Sequence, residues 1–373
     1  MSVKIEEDVK DMVQESILQF QFEGNVISHA PYGNGHINDT YLLVLDDEAQ
    51  SRIILQRMNG EVFKQPVELM ENILGVTSYL RKKIIAYGGD PRRETLNVIA
   101  TKEQKPYYKD SCGSYWRAYG FIEDTTSFDT VDNPEIFYTS AVAFGNFQRL
   151  LSDYPAHTLH ETIQGFHDTK ARMQKFEAAV KADQCGRARL VAAEIEFIRE
   201  RQQITEILGT MQAAGELPLR VTHNDTKLNN ILIDNRTGKA ICVIDLDTVM
   251  PGLAVNDFGD SIRFGASTGA EDETDLDKIS CDLQLFEIYT KGFIEGCAGS
   301  LTKTELEMLP MGALVMTFEC GIRFLTDYLE GDVYFKIHKE HHNLDRARTQ
   351  FKLVKDMEDK WDEMAAIVSK YIF

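Results

Sequence analysis

The sequence is poor in the features that mark secreted, membrane-spanning or metal-clustered proteins. Only six of its 373 residues are cysteine, they are widely spaced, and none forms a C-x-x-C pair. This argues against a disulfide framework and against a cysteine-based zinc site. No run approaches the roughly 18 apolar residues of a membrane span, and the acidic amino terminus MSVKIEEDVKDMVQES is unlike a signal or transit peptide. We therefore expect a cytoplasmic protein without a membrane partner.

Basic residues are also in short supply. The chain has 40 Lys and Arg against 59 Asp and Glu, which gives a net charge of −19. Such a surface repels polyanions, so nucleic acid is not an expected partner. The hydrophobic fraction of 43% and the charged fraction of 27% are those of an ordinary globular protein, and the length suits two lobes with a cleft.

The most informative stretch of the chain places three polar side chains at the ends of apolar segments. Asp225 follows His223 by two residues, Asn230 comes five residues later, and Asp245 ends the apolar run 240–244. Transfer of the terminal phosphoryl group of ATP needs a carboxylate for the attacking hydroxyl, plus an amide oxygen and a second carboxylate that hold Mg²⁺ on the phosphates. The pattern predicts Asp225 as the catalytic base and Asn230 and Asp245 as the metal ligands.

The spacing supports this interpretation. Protein kinases have the motif H-R-D-L-x-x-x-N followed by a magnesium-binding Asp, and the interval from Asp225 to Asn230 is the same. Residues 231–234 and 240–244 read as two short strands joined by the turn Asn-Arg-Thr-Gly. Asn224 replaces the arginine of the motif, which argues against a protein kinase.

The amino-terminal part predicts a sheet that could bind the nucleotide. Segments 26–32, 40–45, 52–58, 96–101, 107–109 and 115–122 have strand character and indicate a five-stranded antiparallel sheet, with a helix over 66–83. Gly33 and Gly35 lie between the first two strands, where glycine lets backbone amides approach phosphates.

Three further residues are candidates for nucleotide binding. The third strand ends Gln56-Arg57-Met58 without a lysine, so we assign the phosphate-binding cation to Arg57, although the sequence does not decide between it and Gln56. Glu71 on the following helix is a candidate partner of Arg57, with a solvated position on the helix surface as the alternative. Glu123 lies in the run 121–126, which we expect to contact adenine through its backbone.

The remainder is predicted to be mainly helical, with helices over 134–152, 169–183, 187–214 and 305–330 and a last amphipathic helix. Asp257 and Asp260, in an acid-rich turn, are expected to brace the catalytic loop or cap a helix. Arg323 and Asp327 share one helix face, and both an ion pair within the helix and a role in the cleft remain open.

These motifs together resemble the aminoglycoside phosphotransferase and choline kinase superfamily over nearly the whole chain. More narrowly, GNGHINDTY (33–41), ILQRMN (54–59), WRAYGFIEDT (116–125), THNDTKLNN (222–230), CVIDLDTVMPGLAVNDFGDSIRFG (242–265) and IRFLTDYLEGDVYFKIH (322–338) are similar to the N-acetylhexosamine 1-kinases. The resemblance implies an ATP- and Mg²⁺-dependent kinase that phosphorylates the anomeric hydroxyl of N-acetylglucosamine or N-acetylgalactosamine, with Arg323, Asp327 and Tyr334 binding the sugar.

The resemblance also implies a fold class and a domain division. We expect an α+β, bilobal, protein-kinase-like fold with a small antiparallel-sheet lobe over 1–122 that binds the nucleotide. The larger, mainly helical lobe over 123–373 would carry catalysis and substrate binding, in a monomer or a weak homodimer.

Two alternatives remain at this point. The same fold and mechanism could serve choline, ethanolamine, an aminoglycoside or another sugar, and an acidic protein could attract a cationic acceptor. A pseudokinase that binds nucleotide without turnover is a third hypothesis, but such a protein is expected to lack Asp225, Asn230 or Asp245, and all three are present.

Overall fold

The computed structural model describes residues 11–33, 37–47 and 51–372. By their internal contacts the residues fall into two compact units. The first contains the chain up to Thr126 together with 158–164 and 232–250, and the second contains 127–157, 165–231 and the chain from Pro251 onward. The expected functional division after residue 122 stays a prediction, and the contact-based first unit also takes in two later segments.

The first unit is built on an antiparallel sheet in the order β1-β2-β3-β6-β4, with β5 paired to β6. Its strands are β1 (Val26–Pro31), β2 (Asp39–Leu45), β3 (Arg52–Met58), β4 (Val98–Ile99), β5 (Tyr108–Lys109) and β6 (Tyr115–Gly120). All six segments predicted as strands belong to this sheet, which has six strands and not five, because two short segments each pair separately with β6.

The two faces of this sheet differ because successive side chains of a strand point to opposite sides. One face is apolar and packs on the amino-terminal helix α1, of which residues 11–17 are described. Its buried members are Val13, Ile17, Phe20, Leu43, Leu45, Ile53, Leu55, Trp116 and Ala118. The opposite face carries Gln56 of β3 directly across from Arg117 of β6.

Helix α2 (Pro66–Ala86) completes the first unit. Pro66 begins it, as suits the first helical turn, where no backbone N–H is required. The buried amide of Asn72 on this helix donates to the carbonyl oxygens of His160 (2.8 Å) and Val249 (3.0 Å). Strands β7 (Thr125–Thr126), β9 (Ile231–Asp234) and β10 (Ala240–Val243) form a small sheet. Strands β9 and β10 form the late hairpin, which pairs with the rest of the first unit through β7.

The second unit is mainly helical. Its helices are α3 (Pro134–Leu150), α4 (Thr169–Ala182), α5 (Ala192–Glu200), α6 (Ile204–Ala213), α7 (Ala254–Gly265), α8 (Leu283–Cys297), α9 (Lys303–Glu307), α10 (Leu309–Glu330), α11 (His342–Asp359) and α12 (Trp361–Ser369). Strand β8 (Arg220–Thr222) pairs with β11 (Met250–Gly252). Helix α10 is central and packs against α4, α7 and α11.

Glycines allow α7 and α10 to lie unusually close together. A Cβ atom on Gly259 of α7 would come within 2.2 Å of the Gly312 carbonyl oxygen, and one on Gly312 of α10 would come within 2.2 Å of the Val255 carbonyl oxygen. Any other residue at either position would push the helices apart. The contact therefore fixes α7 on the central helix, and α7 is the helix that holds the catalytic loop.

The single helix predicted over 187–214 is wrong, because the chain forms a 3₁₀ turn (Ala188–Val191) followed by two helices, α5 and α6. Arg201 lies at the end of α5, where the helix breaks. Its Nη1 donates to the Phe197 carbonyl oxygen (3.1 Å), while its backbone N–H bonds to Ile198 (3.0 Å). The side chain thus takes the carbonyl that a continuous helix would use, and tighter turns follow.

Within the described part of the chain, one helix is long and apolar enough to cross a membrane by length and composition. It is α10, and 83% of its most apolar window is buried inside the protein. Core helices of globular proteins have the same property.

Candidate active site

The backbone of the predicted catalytic loop is held by a carboxylate of helix α7. Asp257 accepts hydrogen bonds from the N–H groups of His223 (2.9 Å) and Asn224 (2.8 Å) and from Nε2 of Gln148 (2.8 Å). Asn224 has a positive φ of 64°, a conformation that a non-glycine residue adopts only where its surroundings enforce it. The expected bracing role of Asp257 is confirmed.

A second acidic residue of α7 holds the next part of the loop. The Thr226 N–H donates to Asp260 (2.9 Å), and the Thr226 hydroxyl donates to the Asp257 carbonyl oxygen (2.6 Å). Ser261 donates in turn to the Thr226 carbonyl oxygen (2.8 Å). One helix thus fixes the backbone on both sides of Asp225, which is the rigid support that a catalytic side chain needs.

The Asp225 side chain is partly open to solvent, with 26% of it exposed. Its carboxylate contacts Nζ of Lys227 at 2.8 Å and accepts a bond from Nδ2 of Asn230 at 3.1 Å. Burial raises the pKa of Asp225, but the charge and hydrogen bond of Lys227 and the amide of Asn230 lower it further, so the net pKa lies below its ordinary value. The group is an ionised carboxylate at neutral pH, as a hydroxyl-orienting base must be.

Sequence reasoning missed Lys227 as the partner of Asp225. Burial lowers the pKa of Lys227, but the Asp225 carboxylate raises it above its ordinary value, so the ammonium group stays charged. A cation two residues after the base is suited to neutralise charge on a transferred phosphoryl group. Its position within the 225–230 interval was a signal that could have identified it.

Asn230 is oriented by the same loop. Its Nδ2 donates to the Asp225 carbonyl oxygen (2.8 Å) as well as to the carboxylate, which turns the amide oxygen away from Asp225. Asp245 lies two residues after strand β10, in the first unit, and has a positive φ of 58°. An amide oxygen and a carboxylate are the hard ligands that Mg²⁺ prefers, so both residues fit the predicted metal by their chemistry.

The turn that carries Asp245 is anchored through Asp247, which is buried. The Asp247 carboxylate is paired with Nη1 of Arg117 and accepts a bond from Nδ2 of Asn38 at 2.7 Å. Its carbonyl oxygen accepts a bond from the Thr162 hydroxyl at 3.0 Å. Sequence reasoning missed both Arg117 and Asp247, since 130 residues separate them.

The predicted pair of Arg57 and Glu71 does not form. Arg57 lies directly opposite Asp39 in the register of β2 and β3, and its Nε donates to that carboxylate at 2.7 Å. Glu71 contacts His160 instead, at 2.7 Å. The strand register is the reason, because it places Asp39 within reach of Arg57.

The remaining predicted nucleotide-binding residues are placed as follows. The Glu123 side chain pairs with Arg52, and its carbonyl oxygen accepts a bond from Nη2 of Arg93 at 2.9 Å. Gly33 has a positive φ of 76° in the connection after β1, which favours glycine there. Gly35 lies outside the described residues.

The three predicted sugar-binding residues line one cavity of the second unit. Its walls include Arg172 of α4, Arg323 and Asp327 of α10, and Tyr334 and Phe335 of the segment after α10. Asp327 lies on α10 and Tyr334 lies on the segment after it, yet both line this cavity. The sequence spacing alone did not show that they share it.

Arg323 is held by aromatic rings and not by a carboxylate. Its guanidinium lies 5.3 Å from the ring centre of Phe166 and 5.5 Å from that of Phe335. Among the described residues no acidic group forms an ion pair with it, so the alternative of an ion pair with Asp327 inside the helix is not what forms. Arg323 presents a charged donor to the cavity, held in place by cation–π contacts.

Arg172 adds a second guanidinium to this cavity, and sequence reasoning missed it. Its Nη2 donates to the Phe166 carbonyl oxygen (2.9 Å), whereas its buried Nε has no hydrogen-bond partner among the described residues. Burial, followed by the charge of Arg323, lowers its pKa. Two arginines facing the same cavity are suited to neutral or anionic oxygen acceptors.

The Asp327 carboxylate is engaged by the segment that follows α10, and its predicted contact with the sugar stays a prediction. It accepts four hydrogen bonds, from the N–H groups of Val333 (3.0 Å), Tyr334 (2.8 Å) and Phe335 (2.9 Å) and from Nδ2 of Asn343 (2.9 Å). These bonds use the acceptor capacity of a carboxylate. In this arrangement Asp327 shapes the segment that presents Tyr334, whose side chain is exposed.

Several charged groups of the second unit interact electrostatically, and they include residues of the catalytic loop, of α7 and of this cavity. Lys227 interacts electrostatically with Asp260 and Arg263, and Arg263 bonds Asp260 at 3.1 Å. Burial raises the pKa of Cys320 to about 11, and both Arg263 and Arg323 act in the opposite direction. The Cys320 thiol therefore interacts electrostatically with an arginine of α7 and with the arginine of the cavity.

Comparison with solved structures agrees with this arrangement. An aminoglycoside phosphotransferase from Alicyclobacillus acidocaldarius matches with a TM-score of 0.57 at 10% identity, over 96% of each chain. A choline kinase from Cryptosporidium parvum matches with a TM-score of 0.56 at 16% identity, over 93% of each chain. An amicoumacin kinase in complex with AMP-PNP and Ca²⁺ matches with a TM-score of 0.57 at 13% identity, over 96% of each chain.

At these identities the likeness establishes the fold, which is the predicted protein-kinase-like α+β fold with an antiparallel sheet in the amino-terminal part. The sequence itself matches the model of the phosphotransferase enzyme family (APH) over residues 28–280, which is more than half of the chain. The chain therefore belongs to this phosphotransferase family, which makes it a small-molecule kinase.

Proposed function

We propose that the protein transfers the terminal phosphoryl group of ATP to the anomeric hydroxyl of an N-acetylhexosamine and so forms the sugar 1-phosphate. The family supports the kinase part of the proposal. The motifs shared with the N-acetylhexosamine 1-kinases support the sugar. The observation that carries the choice of acceptor is the cavity with Arg172 and Arg323. Its two acids are already engaged, Glu330 by Lys175 and Asp327 by four hydrogen bonds, so the two guanidinium groups disfavour a cationic acceptor.

In this mechanism the sugar hydroxyl is oriented by Asp225. Its oxygen attacks the terminal phosphorus, the bond from that phosphorus to the bridging oxygen breaks with its electron pair going to ADP, and the proton passes to the Asp225 carboxylate. A hemiacetal hydroxyl is more acidic than an ordinary alcohol, so a carboxylate of ordinary strength suffices, and alignment provides most of the catalysis. Lys227 would neutralise charge on the transferred group.

Asn230 and Asp245 are the residues that would hold the metal. A divalent ion bound to the phosphates neutralises the charge that develops between the terminal phosphorus and the leaving oxygen. In this proposal the carboxylates of α7 keep the Asp225 backbone fixed, while Arg323 and Tyr334 contact the sugar and Asp327 shapes the segment around it.

A second candidate is a kinase of the same fold that acts on choline, ethanolamine or an aminoglycoside. The overall charge of −19 favours it, because an acidic surface attracts cationic acceptors. The named structures of similar fold include such kinases. The two candidates differ in the acceptor alone, and not in the roles of Asp225, Asn230 and Asp245.

The deciding experiment is an ADP-release assay with Mg²⁺ and ATP against a panel of N-acetylhexosamines, hexosamines, hexoses, choline, ethanolamine and an aminoglycoside. Phosphorus NMR then identifies the phosphorylated position. We expect rapid release with an N-acetylhexosamine and a phosphate on the anomeric carbon, with Asp225→Asn as the inactive matched control. ADP release with an amino alcohol, and none with any of the sugars, would establish the second candidate.

A further inference from the structure

The sheet of the first unit lacks a free basic residue on its third strand. Protein kinases place a lysine there, paired with a glutamate, to meet the nucleotide phosphates. Here Arg57 is paired with Asp39, and its strand neighbour Gln56 is uncharged. Because neighbouring residues of a strand point to opposite faces, Gln56 and not Arg57 shares a face with Arg117.

Arg117 supplies the positive charge on that face from strand β6. Its Nε and Nη2 both donate to Oε1 of Gln56, at 3.0 and 2.9 Å, and its Nη1 is bonded to Asp247. Gln56 is itself fixed, since its Nε2 donates to the Thr40 hydroxyl at 3.0 Å. The side chains of Arg117 and Asp247 are only 2% and 4% exposed, which makes this a fully desolvated ion pair.

The partner of Arg117 lies two residues after the predicted metal ligand. Asp245 has a positive φ, a conformation that aspartate adopts more readily than most residues other than glycine but that still favours support from its surroundings. Asp247 is held on three sides, by Arg117, by Asn38 at the start of β2 and, through its backbone, by Thr162. These contacts fix the turn from its carboxyl-terminal side.

We propose that Arg117 is a positioning residue for the metal-bound nucleotide. Together with Asp247 it fixes the 245–247 turn, so that Asp245 is held in the geometry in which it receives the metal. In this chain a buried pair between a strand and the metal turn thus supports the metal ligand, whereas the lysine of protein kinases meets the phosphates directly. The inference rests on the nucleotide half of the proposed function and does not depend on the acceptor.

The test must separate positioning from folding, because removing one partner of a buried ion pair leaves an uncompensated charge. Replacing both partners by apolar residues of similar volume is often tolerated, so the decisive variant is Arg117→Met with Asp247→Leu. The matched control is Arg201→Met with Glu358→Leu, which removes a two-bond ion pair between α5 and α11 of the second unit.

The readouts are the melting temperature and the affinity for a fluorescent ADP analogue, measured in Mg²⁺ and again in EDTA without any acceptor. We expect the double variant to keep a melting temperature close to that of the control. Its affinity in Mg²⁺ should fall by about tenfold or more, as for residues that support metal ligands, with little change in EDTA. A purely structural pair would leave the ratio of the two affinities unchanged, and that result would overturn the proposal.

Two further variants make the outcome decisive. Arg117→Lys keeps the charge but loses the fork that joins Gln56 to Asp247, so it should fold and still lose part of the Mg²⁺-dependent affinity. If the double variant does not fold, this variant decides alone, and an unchanged ratio contradicts the inference. If Arg57→Gln lost Mg²⁺-dependent affinity and Arg117→Lys did not, Arg57 and not Arg117 would be the residue that supports binding of the metal-bound nucleotide.

Failure here is distinguishable from failure of the proposed function. If the acceptor is not an N-acetylhexosamine, the nucleotide measurements are unaffected. If wild-type protein shows no Mg²⁺-dependent nucleotide binding at all, the kinase mechanism itself is contradicted, and the positioning role of Arg117 with it.

Discussion

The two segments that carry the predicted catalytic aspartates are held in opposite ways. The loop around Asp225 is held by its backbone, whose N–H groups donate to Asp257 and Asp260 of one helix. The turn after Asp245 is held chiefly by side chains, through the ion pair of Asp247 with Arg117. Backbone bracing fixes the position of the base, whereas the ion pair ties the metal turn to a strand.

The difference also decides what each segment tolerates. The carboxylates of Asp257 and Asp260 accept hydrogen bonds from several backbone N–H groups of the loop. The loss of one of these bonds therefore leaves the others to hold the loop in place. A buried ion pair depends on both members, since loss of one leaves a desolvated charge at a cost of about 3–5 kcal/mol. We therefore expect substitutions in the first segment to act mainly on kcat, and substitutions in the second to act mainly on metal and nucleotide affinity.

The largest effect is expected at Asp225 itself. Asp225→Asn removes the proton acceptor while keeping the size of the side chain, so kcat should fall by about 10²–10⁴-fold, the usual contribution of general acid–base catalysis. The KM for ATP should change little. Steady-state kinetics with the acceptor identified above measure both constants, and a melting curve checks the fold. Turnover near the wild-type rate would remove the mechanistic part of the proposal.

The bracing carboxylate should give the next largest effect. An asparagine at position 257 offers a single acceptor oxygen to three donors, so Asp257→Asn should cost about 1–3 kcal/mol of stability for each buried donor left unpaired. We expect kcat to fall while the KM for ATP is kept, whereas Asp247→Asn should raise the KM for ATP. Denaturant unfolding and steady-state kinetics measure the two effects.

The control for this contrast is Asp356→Asn. Asp356 also accepts a backbone N–H, from Cys281 at 2.7 Å, together with the Ser280 hydroxyl, but it lies on α11. The Asp356→Asn variant should lose about as much stability as Asp257→Asn, with no loss of kcat. If Asp257→Asn and Asp247→Asn changed the same kinetic constant in the same proportion, the distinction between the two segments would be wrong.

The cavity gives a third, smaller effect. Arg323→Gln removes a charged donor that has no ion-pair partner among the described residues, and charge-assisted hydrogen bonds contribute about 1.5–3 kcal/mol. The KM for the acceptor should therefore rise by roughly 10–150-fold, with an unchanged KM for ATP. The exposed Lys170 of α4, paired with Glu206, provides the control Lys170→Gln. An unchanged acceptor KM would exclude Arg323 from acceptor binding.

Much of the fold was predictable because its signals are local. Strand alternation, the helical stripes and the turn residues predicted the sheet and most helices. The acid-rich segment around Asp257 and Asp260 is helix α7 and not the expected turn, although bracing of the loop was one of the two roles expected for these residues. The break at Arg201 was not predictable, since it depends on a side chain that bonds back to its own helix. Helical periodicity continues across such a break.

The candidate site was predictable where its residues are close in sequence and unpredictable where they are distant. Asp225 and Asn230 are five residues apart, and one hydrogen bond joins their side chains. Arg117 and Asp247 meet only because of how β6 and the late hairpin come together in the first unit. Arg57 was preferred because it has the right charge on the right strand, but the strand register pairs it with Asp39.

The smallest expected effect concerns the pH dependence of the Asp225 loop. The pKa of Asp225 lies below its ordinary value although burial raises it, because Lys227 and the Asn230 amide lower it more. The active form is the ionised one, so activity is retained above this pKa and is lost as the pH falls through it. In the wild type we expect the acidic limb of the kcat profile below about pH 4, the ordinary range of an aspartate.

Lys227→Met removes the ammonium group but keeps most of the side-chain volume. The pKa of Asp225 should then rise, because burial remains while the largest opposing influence is lost, and the acidic limb should move to higher pH. The pH profile of kcat for both proteins, with circular dichroism at each pH as the check on folding, measures the displacement. Profiles that coincide would show that Lys227 does not control the ionisation of Asp225, and the base would then owe its charged state to His223 and Asn230.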